Sequence, residues 1–521
     1  MVWIVYHIIA LGAVLQLNVC DGANILCIFP VPSYSHQQPL LAVSRELAAR
    51  GHNLIVINTN PTKTPLKNHR DIDLGFLYNE FEELRKRGLS LQSRISPYKI
   101  VHDYKLFMEF ITPKALEAPQ VQQLINEING TKFDLIFYES IMLSSFLGFS
   151  ELVGNPPIVG MLTINPFVIS DPLVGNPEIP SYIPSVLLPN EHRMTFVERV
   201  NNFLINAYYH YVKIRYMDPL QEIYIKRYFG NVKHTAYEME RNISLMLISS
   251  DLASSYPKPI HPNTIYVGPT HIEKNFPPLP QDIQKWMDDS EDGVIYFSLG
   301  SNMKGTSVPA EKRNAFIRAF SMFPRVRVLW KWESDEKLPG QPDNVLVKKW
   351  LPQQAILAHP KTRIFISQVG LQSMQEATHY GVPILGVPLF ADQDFNARKL
   401  MQAGAGRAVD FHYVAFENIY ENLKELLTNS SYAENMRILS RITKDKPMPA
   451  VETAVWWIEY VLRHNGAPHL RPACKDLVWY QYYSLDIIAA IGATIMLILT
   501  LSYSTVKMIV KKLVNSKLKT Q

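Results

Sequence analysis

Between Trp350 and Asn396 the chain reads WLPQQAILAHPKTRIFISQVGLQSMQEATHYGVPILGVPLFADQDFN, with its polar residues gathered between apolar runs rather than along one face. Hydrophobic period makes Arg363 to Ser367 a short buried strand, Leu371 to Tyr380 a helix, Pro383 to Val387 a second strand and Phe395 to Gln402 a second helix. In such a βαβα unit ligands sit beyond the carboxyl ends of the strands, where loop N–H groups and helix N-termini point at anions. Gln368-Val369-Gly370 and Phe390-Ala391-Asp392-Gln393 occupy those two places.

A second group with chemical capacity lies near the start. The strand Asn24 to Phe29 leads into a loop, Pro30 to His36, and a helix from Gln37 to Arg50; after the Gly51 stop a strand follows from Asn53 to Asn58. His36 therefore stands just before a helix N-terminus, whose partial positive charge disfavours an imidazolium and favours the neutral, proton-accepting ring. Phe133 to Tyr138 is another continuous apolar strand, with Glu139 at its carboxyl end. In a parallel sheet that end faces the same cleft as the His36 loop. Asp134, at the start of that strand, points from the wrong end. This half carries no GxGxxG fingerprint, so it is not read as a dinucleotide site.

The elements that must position these groups form two halves. The second begins near Asp292 with the strand Val294 to Ser298 and the turn Leu299-Gly300-Ser301, followed by strands at Val328 to Trp332 and Val345 to Lys348 among helices. Proline-rich text from Tyr256 to Pro280 reads as the linker. Leu84 to Val121 and Phe196 to Asn231 are irregularly helical and rich in Tyr, Phe and Met, a composition that ordinary core packing explains. Helical periodicity returns from Phe416 to Ile442 and from Val451 to Arg463.

With 521 residues and 47% hydrophobic content the chain is long enough for two cores. A net charge of +5, partly in the C-terminal tail, gives the body no case for nucleic-acid binding. Cys20, Cys27 and Cys474 are the three cysteines, too few and too far apart for a disulfide framework or a zinc set, and no other cluster suggests a metal. Cys27, inside an apolar strand, reads as a small core residue.

Val2 to Leu17 is an uncharged apolar run followed by small and polar residues through Gly22, which reads as a cleaved secretory signal; an uncleaved anchor is the alternative. Sequons at Asn129, Asn242 and Asn429 agree with entry into the secretory pathway. Leu485 to Val506 is an uncharged apolar run of membrane-spanning length, with Trp479, Tyr480, Tyr482 and Tyr483 before it and Lys507, Lys511, Lys512, Lys517 and Lys519 after it. Positive residues stay cytoplasmic, so the topology is single-pass type I with a luminal body. Lys517 and Lys519 have the spacing of a dilysine endoplasmic-reticulum retrieval signal. One span with no charge inside it excludes a transport pathway.

The Trp350 to Asn396 segment, together with SYSH (Ser33 to His36), GNPEIPSY (Gly175 to Tyr182), YFSLGS (Tyr296 to Ser301), VLWKWE (Val328 to Glu333) and AVWWIEYVLRHNGAPHLRP (Ala454 to Pro472), resembles the UDP-glycosyltransferases, most closely the membrane-anchored animal enzymes of the insect type. The resemblance implies an α/β fold of two Rossmann-like domains facing a cleft, the GT-B architecture, plus a C-terminal transmembrane helix. It divides the chain into a signal peptide at 1–22, an acceptor-binding domain at 23–255, a linker at 256–291 and a UDP-sugar-binding domain at 292–448. A helix returning to the first domain and a juxtamembrane segment follow at 449–484, then the span at 485–506 and the tail at 507–521. It also implies direct, inverting transfer of a hexose from a UDP-sugar to a hydroxyl of a small lipophilic acceptor, with no cofactor beyond the co-substrate. Self-association or association with a relative is left open.

By the same resemblance His36 is the base and Glu139 takes the place of the Asp that orients it. Trp350 matches the indole that stacks on uracil, Gln353 the amide that reads its edge, and Glu376 the carboxylate that takes the ribose hydroxyls. Ser301, Gln368, Gly370, Gln372 and Ser373 supply diphosphate contacts, and Asp392 and Gln393 hold sugar hydroxyls. The chain departs from the pattern at Gln368-Val369-Gly370, where the family usually has His-Gly-Gly. Plant relatives tolerate a side chain at the second position. A Gln amide cannot carry the charge that a phosphate induces on imidazole, a loss on the order of 1 kcal/mol unless compensated, for which Gln372 is the candidate. Two readings stand beside UDP-glucose transfer: a donor-impaired, membrane-held small-molecule binder or non-catalytic partner, and the same enzyme class using UDP-glucuronate.

Overall fold

Short apolar runs bounded by Gly, Asn or Pro become strands because a parallel sheet buries both its faces, and the intervening helices supply the cover. The computed structural model describes residues 22–87, 96–251 and 253–518. Residues 1–21, read above as a secretory signal and including Cys20, residues 88–95, the side chain of Lys517 and all of Lys519 lie outside the described residues. Two compact units divide the chain between Leu470 and Arg471.

The first unit holds two parallel sheets. One has seven strands in the order β3-β2-β1-β4-β5-β6-β7: β1 Asn24–Phe29, β2 Asn53–Asn58, β3 His69–Asp73, β4 Leu135–Glu139, β5 Ile158–Leu162, β6 Ile243–Ile248 and β7 Thr264–Tyr266. The other has six in the order β10-β9-β8-β11-β12-β13: β8 Val294–Ser298, β9 Arg327–Lys331, β10 Val345–Lys348, β11 Thr362–Ser367, β12 Ile384–Gly386 and β13 Gly406–Ala408. Alternation along the central strands divides each core in two. Leu26 and Ile28 of β1 face one cluster, Ile25, Cys27 and Phe29 the other. Ile295 and Phe297 of β8 are likewise separated from Val294 and Tyr296. Both sheets are Rossmann-like.

Eight helices carry the argument below: α1 Tyr34–Ala49, α2 Pro97–Leu116, α3 Phe196–Val212, α4 Gln353–Ala358, α5 Leu371–Tyr380, α6 Gln393–Gln402, α7 Ala450–Arg463 and α8 Leu485–Leu518. Buried Ala454, Val455, Ile458 and Val461 of α7 join the core formed by β1 and α1, so the chain's last helix before Leu470 packs on the first sheet. In the second unit α8 is long and apolar enough to cross a membrane.

Several boundaries differ from expectation. Helix α1 starts at Tyr34, not Gln37, so His36 lies in its first turn rather than in the preceding loop; polar first-turn residues give no apolar period to mark a start. Helix α6 starts at Gln393 for the same reason, with Asp392 at its N-cap. The proline-rich stretch read as a linker contains β7, which pairs with β6, and the helix Gln281–Asp288 also falls in the 256–291 segment. Phe416 to Ile442 is two helices, Phe416–Thr428 and Ser431–Lys444, broken at Asn429. Helix α8 continues past Val506 through Lys507, Lys511, Lys512 and Lys517, since lysine is a good helix former.

Candidate active site

Adjacent strands bring the candidate base and carboxylate together. β1 pairs with β4, Ile28 opposite Tyr138, so Glu139 emerges beside the end of β1 from which the chain turns into α1. His36 Nδ1 lies 3.6 Å from Glu139 Oε1, the His side chain 16% exposed and the carboxylate fully buried. That separation is an ion-pair distance and too long for a hydrogen bond, a slackness common before substrate closes a site. Burial raises the Glu139 pKa, opposed by His36 and by the Val31 N–H, which donates to Oε2 at 3.4 Å. Asp134 accepts from the Asn24 N–H at 2.7 Å, at the far end of the same strand.

The ends of β8 and β11 are neighbours, Ser298 opposite Ser367, and the turns beyond them make an anion cradle. Gly300 has φ +77°, and a Cβ there would meet the Gln368 amide nitrogen at 2.5 Å. Gln368 is thus held flat against the turn, its buried Oε1 without a hydrogen-bond partner among the described residues. Gly370 is the extended N-cap of α5, whose first-turn N–H groups face the same space, and Gly381 at φ +74° ends that helix in the left-handed conformation. Val369 has φ +63°, unusual for a β-branched residue; its side chain is fully buried and fills the space beside Gly386.

A cation reaches this cradle from β9. Lys331, 7% exposed at the carboxyl end of that strand, donates to the Gly300 carbonyl at 2.8 Å and to Glu333 Oε1 at 2.9 Å. Its Nζ also lies 5.2 Å from the centroid of the Trp350 ring. Sequence reading quoted Lys331 within VLWKWE and gave it no role, although its place at a strand's carboxyl end was a signal for one.

Gln372 is tied to the first sheet. Its amide nitrogen donates to the Thr163 carbonyl at 2.5 Å, because the first turn of α5 abuts the loop after β5. That bond uses one of the two amide N–H groups and leaves the other for a ligand. Gln375, one turn on, donates to the Ser249 carbonyl at 3.0 Å, so α5 is tied to the first sheet's loops at two points.

Further along, Trp350 stays 58% exposed, with Tyr34 edge-on to it at 5.4 Å. Gln353 is engaged by protein: its amide nitrogen donates to Ser373 Oγ at 3.0 Å and Glu376 Oε2 at 2.5 Å, and its oxygen accepts from the Tyr296 hydroxyl at 3.1 Å. Burial raises the Glu376 pKa to about 7, against the pull of the Gln353 and Gln354 amides and with help from the Glu273 charge. His271 Nε2, which sequence reading missed, lies 3.6 Å from Glu376, and burial lowers its pKa to about 4. Nothing in the local sequence of His271 marked it.

On the opposite side of Gln368, Asp392 and Gln393 are fixed at the start of α6. Gln393 Oε1 accepts from the Leu389 and Phe390 N–H groups at 2.8 and 3.1 Å, which leaves its amide nitrogen for a ligand. Asn396 donates to Asp392 at 2.9 Å, and burial raises the Asp392 pKa, opposed by Asn396 and by the charge of His36.

Two cavities meet at this point. The larger part of one is apolar, lined by Ile100, Tyr104, Phe107, Phe167, Val186 and Leu187, with His36, Asp392 and Gln393 at its polar end. The other holds Lys331, Trp350, Gln353, Glu376, Ser301 and Ser373. Ser35, Gln368, Gly370 and Gln372 border both. Asn129, Asn242 and Asn429 are all exposed.

Two facing Rossmann-like sheets with polar loops at the strand ends define the GT-B architecture, and solved structures agree. The chain aligns with UDP-glucose: anthocyanidin 3-O-glucosyltransferase in complex with UDP at a TM-score of 0.56, with 16% identity, over 85% of this chain and 99% of that one. The glycotransferase of kitacinnamycin aligns at 0.55 over 84% and 99%. The chain belongs to the family described as UDP-glucoronosyl and UDP-glucosyl transferase, whose model matches residues 24–520. UDP-glycosyltransferase UGT5 of Dactylopius coccus is 36% identical over 94% of this chain and 93% of its own length. UDP-glucuronosyltransferase 1A3 of Homo sapiens is 31% identical over 96% and 93%.

Proposed function

We propose that this UDP-glycosyltransferase moves glucose from UDP-glucose to a hydroxyl of a small lipophilic acceptor, by direct displacement with inversion. The observation that carries the reading is the meeting of an apolar cavity and a polar one at Gln368, with His36 lining the apolar one next to Ser35, which borders both. The acceptor lies in the apolar cavity with its hydroxyl at His36. Trp350 stacks on uracil, Glu376 takes the ribose hydroxyls, and Asp392 and Gln393 hold the sugar. As the hydroxyl attacks the anomeric carbon, His36 accepts its proton and Glu139 stabilises the imidazolium. The leaving diphosphate meets Lys331, Ser301, Ser373, the Gln368 amide and the N-terminus of α5.

Lys331 supplies the positive charge that Gln368 lacks. Two of its three N–H bonds are used by Gly300 and Glu333, and the third is available to a phosphate oxygen. Glucose is favoured over glucuronate because Arg85, the one Lys or Arg lining the apolar cavity among the described residues, already serves Glu82 and the Asn302 carbonyl. Helix α8 anchors the protein in the endoplasmic reticulum membrane as a single-pass type I protein with the body luminal.

The binder reading draws on the unpartnered Gln368 amide oxygen, which marks a position where a histidine's charge is missing. The test is product analysis after incubating the membrane-embedded protein with UDP-glucose or UDP-glucuronate and a panel of phenols. β-Glucosides from UDP-glucose support the transfer reading, whereas glucuronides or no product reject the choice of donor.

A further inference from the structure

Prolines on both sides leave Val31 as the one residue between Phe29 and Ser33 with a backbone N–H, because the proline ring removes that donor. The Val31 N–H donates to Glu139 Oε2 at 3.4 Å. Its direction depends on how the Pro30–Val31 peptide is set.

Gln37, fully buried in the opening turn of α1, sets it. Its amide nitrogen donates to the Phe29 carbonyl at 2.8 Å and to the Val31 carbonyl at 3.1 Å. Those two carbonyls flank the Pro30–Val31 peptide, so one amide clips it from both sides and spends both of its N–H groups there. The Val31 carbonyl also takes the Ser33 N–H at 2.8 Å and, from the end of β2, the Thr59 hydroxyl at 3.3 Å. Three donors on an oxygen with two lone pairs leave the turn little freedom. Gln37 Oε1 is buried as well and has no partner among the described residues. An apolar side chain would fill the same space without the cost of that unpaired oxygen.

We propose that Gln37 is a positioning residue of the transfer reaction: by clipping the turn it aims the Val31 N–H at one oxygen of Glu139, which stabilises the anion and turns the other oxygen toward His36. The proposal rests on reading His36 and Glu139 as base and partner. The N–H groups of His36 and Gln37 both donate to the Ser33 carbonyl at 3.1 Å, so base, clip and turn form one unit. Other ionisable groups near the pair are Tyr138 on β4, Tyr78 on the helix Leu77–Lys86 and, toward His36, Asp392 at the start of α6. None of these three supplies positive charge. Against burial, ionised Glu139 is favoured by His36 and the Val31 N–H.

The test measures kcat, KM and the pH profile of the full chain in membranes, with UDP-glucose and one phenol, for Gln37→Met, Glu139→Gln and the double variant. Gln37→Met keeps the bulk and removes both donors. It is expected to lower kcat by about 10–100-fold, the worth of one hydrogen bond to a charged group, with KM for UDP-glucose unchanged. The acid limb of its kcat profile moves to higher pH, since a carboxylate without the N–H binds its proton more tightly. In the Glu139→Gln background the same substitution costs little further, because no charge is left to aim at. Additive losses, a change in KM alone, or a lower melting temperature with kcat kept mark a packing residue and overturn the proposal. Thr59→Val removes only the hydroxyl on the Val31 carbonyl and covers the case in which Gln37→Met does not fold. It should lower kcat by about 2–10-fold, and only where Glu139 is intact; unchanged kcat in Thr59→Val then overturns the proposal. An active wild type whose kcat is untouched by Glu139→Gln refutes the base-and-partner reading and the proposal with it. Loss in Glu139→Gln without loss in either turn variant refutes the proposal alone. A wild type without turnover removes the transfer reading and the proposal together.

Discussion

His36 Nδ1 and Glu139 Oε1 stand 3.6 Å apart, and neither atom has a hydrogen-bond partner among the described residues. Each is the other's nearest complement, so protonation of the ring during transfer closes the gap. Glu139→Gln removes the charge that stabilises the imidazolium and is expected to lower kcat by about 10²–10⁴ with little change in KM for UDP-glucose. His36→Ala should fall in the same range, and the double variant should be no worse than the poorer single one. Steady-state kinetics of the three variants checks this; additive losses would mean the two residues act separately.

Lys331 is expected to carry the donor's charge complement. Removing it alone strands the Glu333 carboxylate, so the informative variant is Lys331→Met with Glu333→Gln. KM for UDP-glucose should rise by about 10–100-fold, the worth of one charge-assisted hydrogen bond. Adding Gln368→His should recover part of the loss. Unchanged donor affinity, measured by calorimetry, would remove Lys331 from the site.

Glu376 gives the donor site a pH dependence. A buried carboxyl with its pKa raised to about 7 is favoured in the neutral form, so its contribution to stability is full below the unfolded value near 4.5 and is lost as pH rises through about 7. Glu376→Gln should stabilise the empty protein at pH 8, by up to about 3 kcal/mol, and should not do so at pH 4. Ribose hydroxyls prefer the carboxylate, so donor binding releases a proton near neutral pH, and KM should fall as pH rises from 6 to 8 in the wild type only. His271, with its pKa lowered to about 4, stays neutral throughout this range. Calorimetry in two buffers of different ionisation enthalpy measures the proton.

Val369 and Gly386 are predicted to be coupled. A Cβ at Gly386 would lie 2.7 Å from Val369 Cγ2. Gly386→Ala alone should cost about 1–3 kcal/mol by overpacking. Val369→Gly relieves a left-handed backbone while deleting a buried side chain, two opposing effects of similar size. The double variant should be more stable than the sum of the singles, and additive melting shifts would show that the contact relaxes freely.

The sequence was most legible where burial is continuous. β1, β2, β8 and α5 coincide with their expected limits because buried strands are unbroken apolar runs and α5 ends at a glycine that must adopt positive φ. It was least legible where a helix opens on polar residues, as at Tyr34 to His36 and Asp392 to Gln393. The proximity of Glu139 to the His36 loop followed from parallel-sheet geometry alone. The tie of Gln372 to Thr163, 209 residues away on the other sheet's loops, could not be read, because no local pattern records such a contact. His271 is invisible for the same reason. Lys331 was within reach, since strand ends were already the places to look.

The most direct measurement is UDP release from UDP-glucose with one phenol acceptor, comparing the wild type with Gln368→His in the same membrane. The wild type should turn over, and the variant's kcat/KM should lie within about tenfold of it, because Lys331 already serves the diphosphate. A silent wild type beside an active Gln368→His variant would contradict the account and identify the natural protein as a donor-impaired binder.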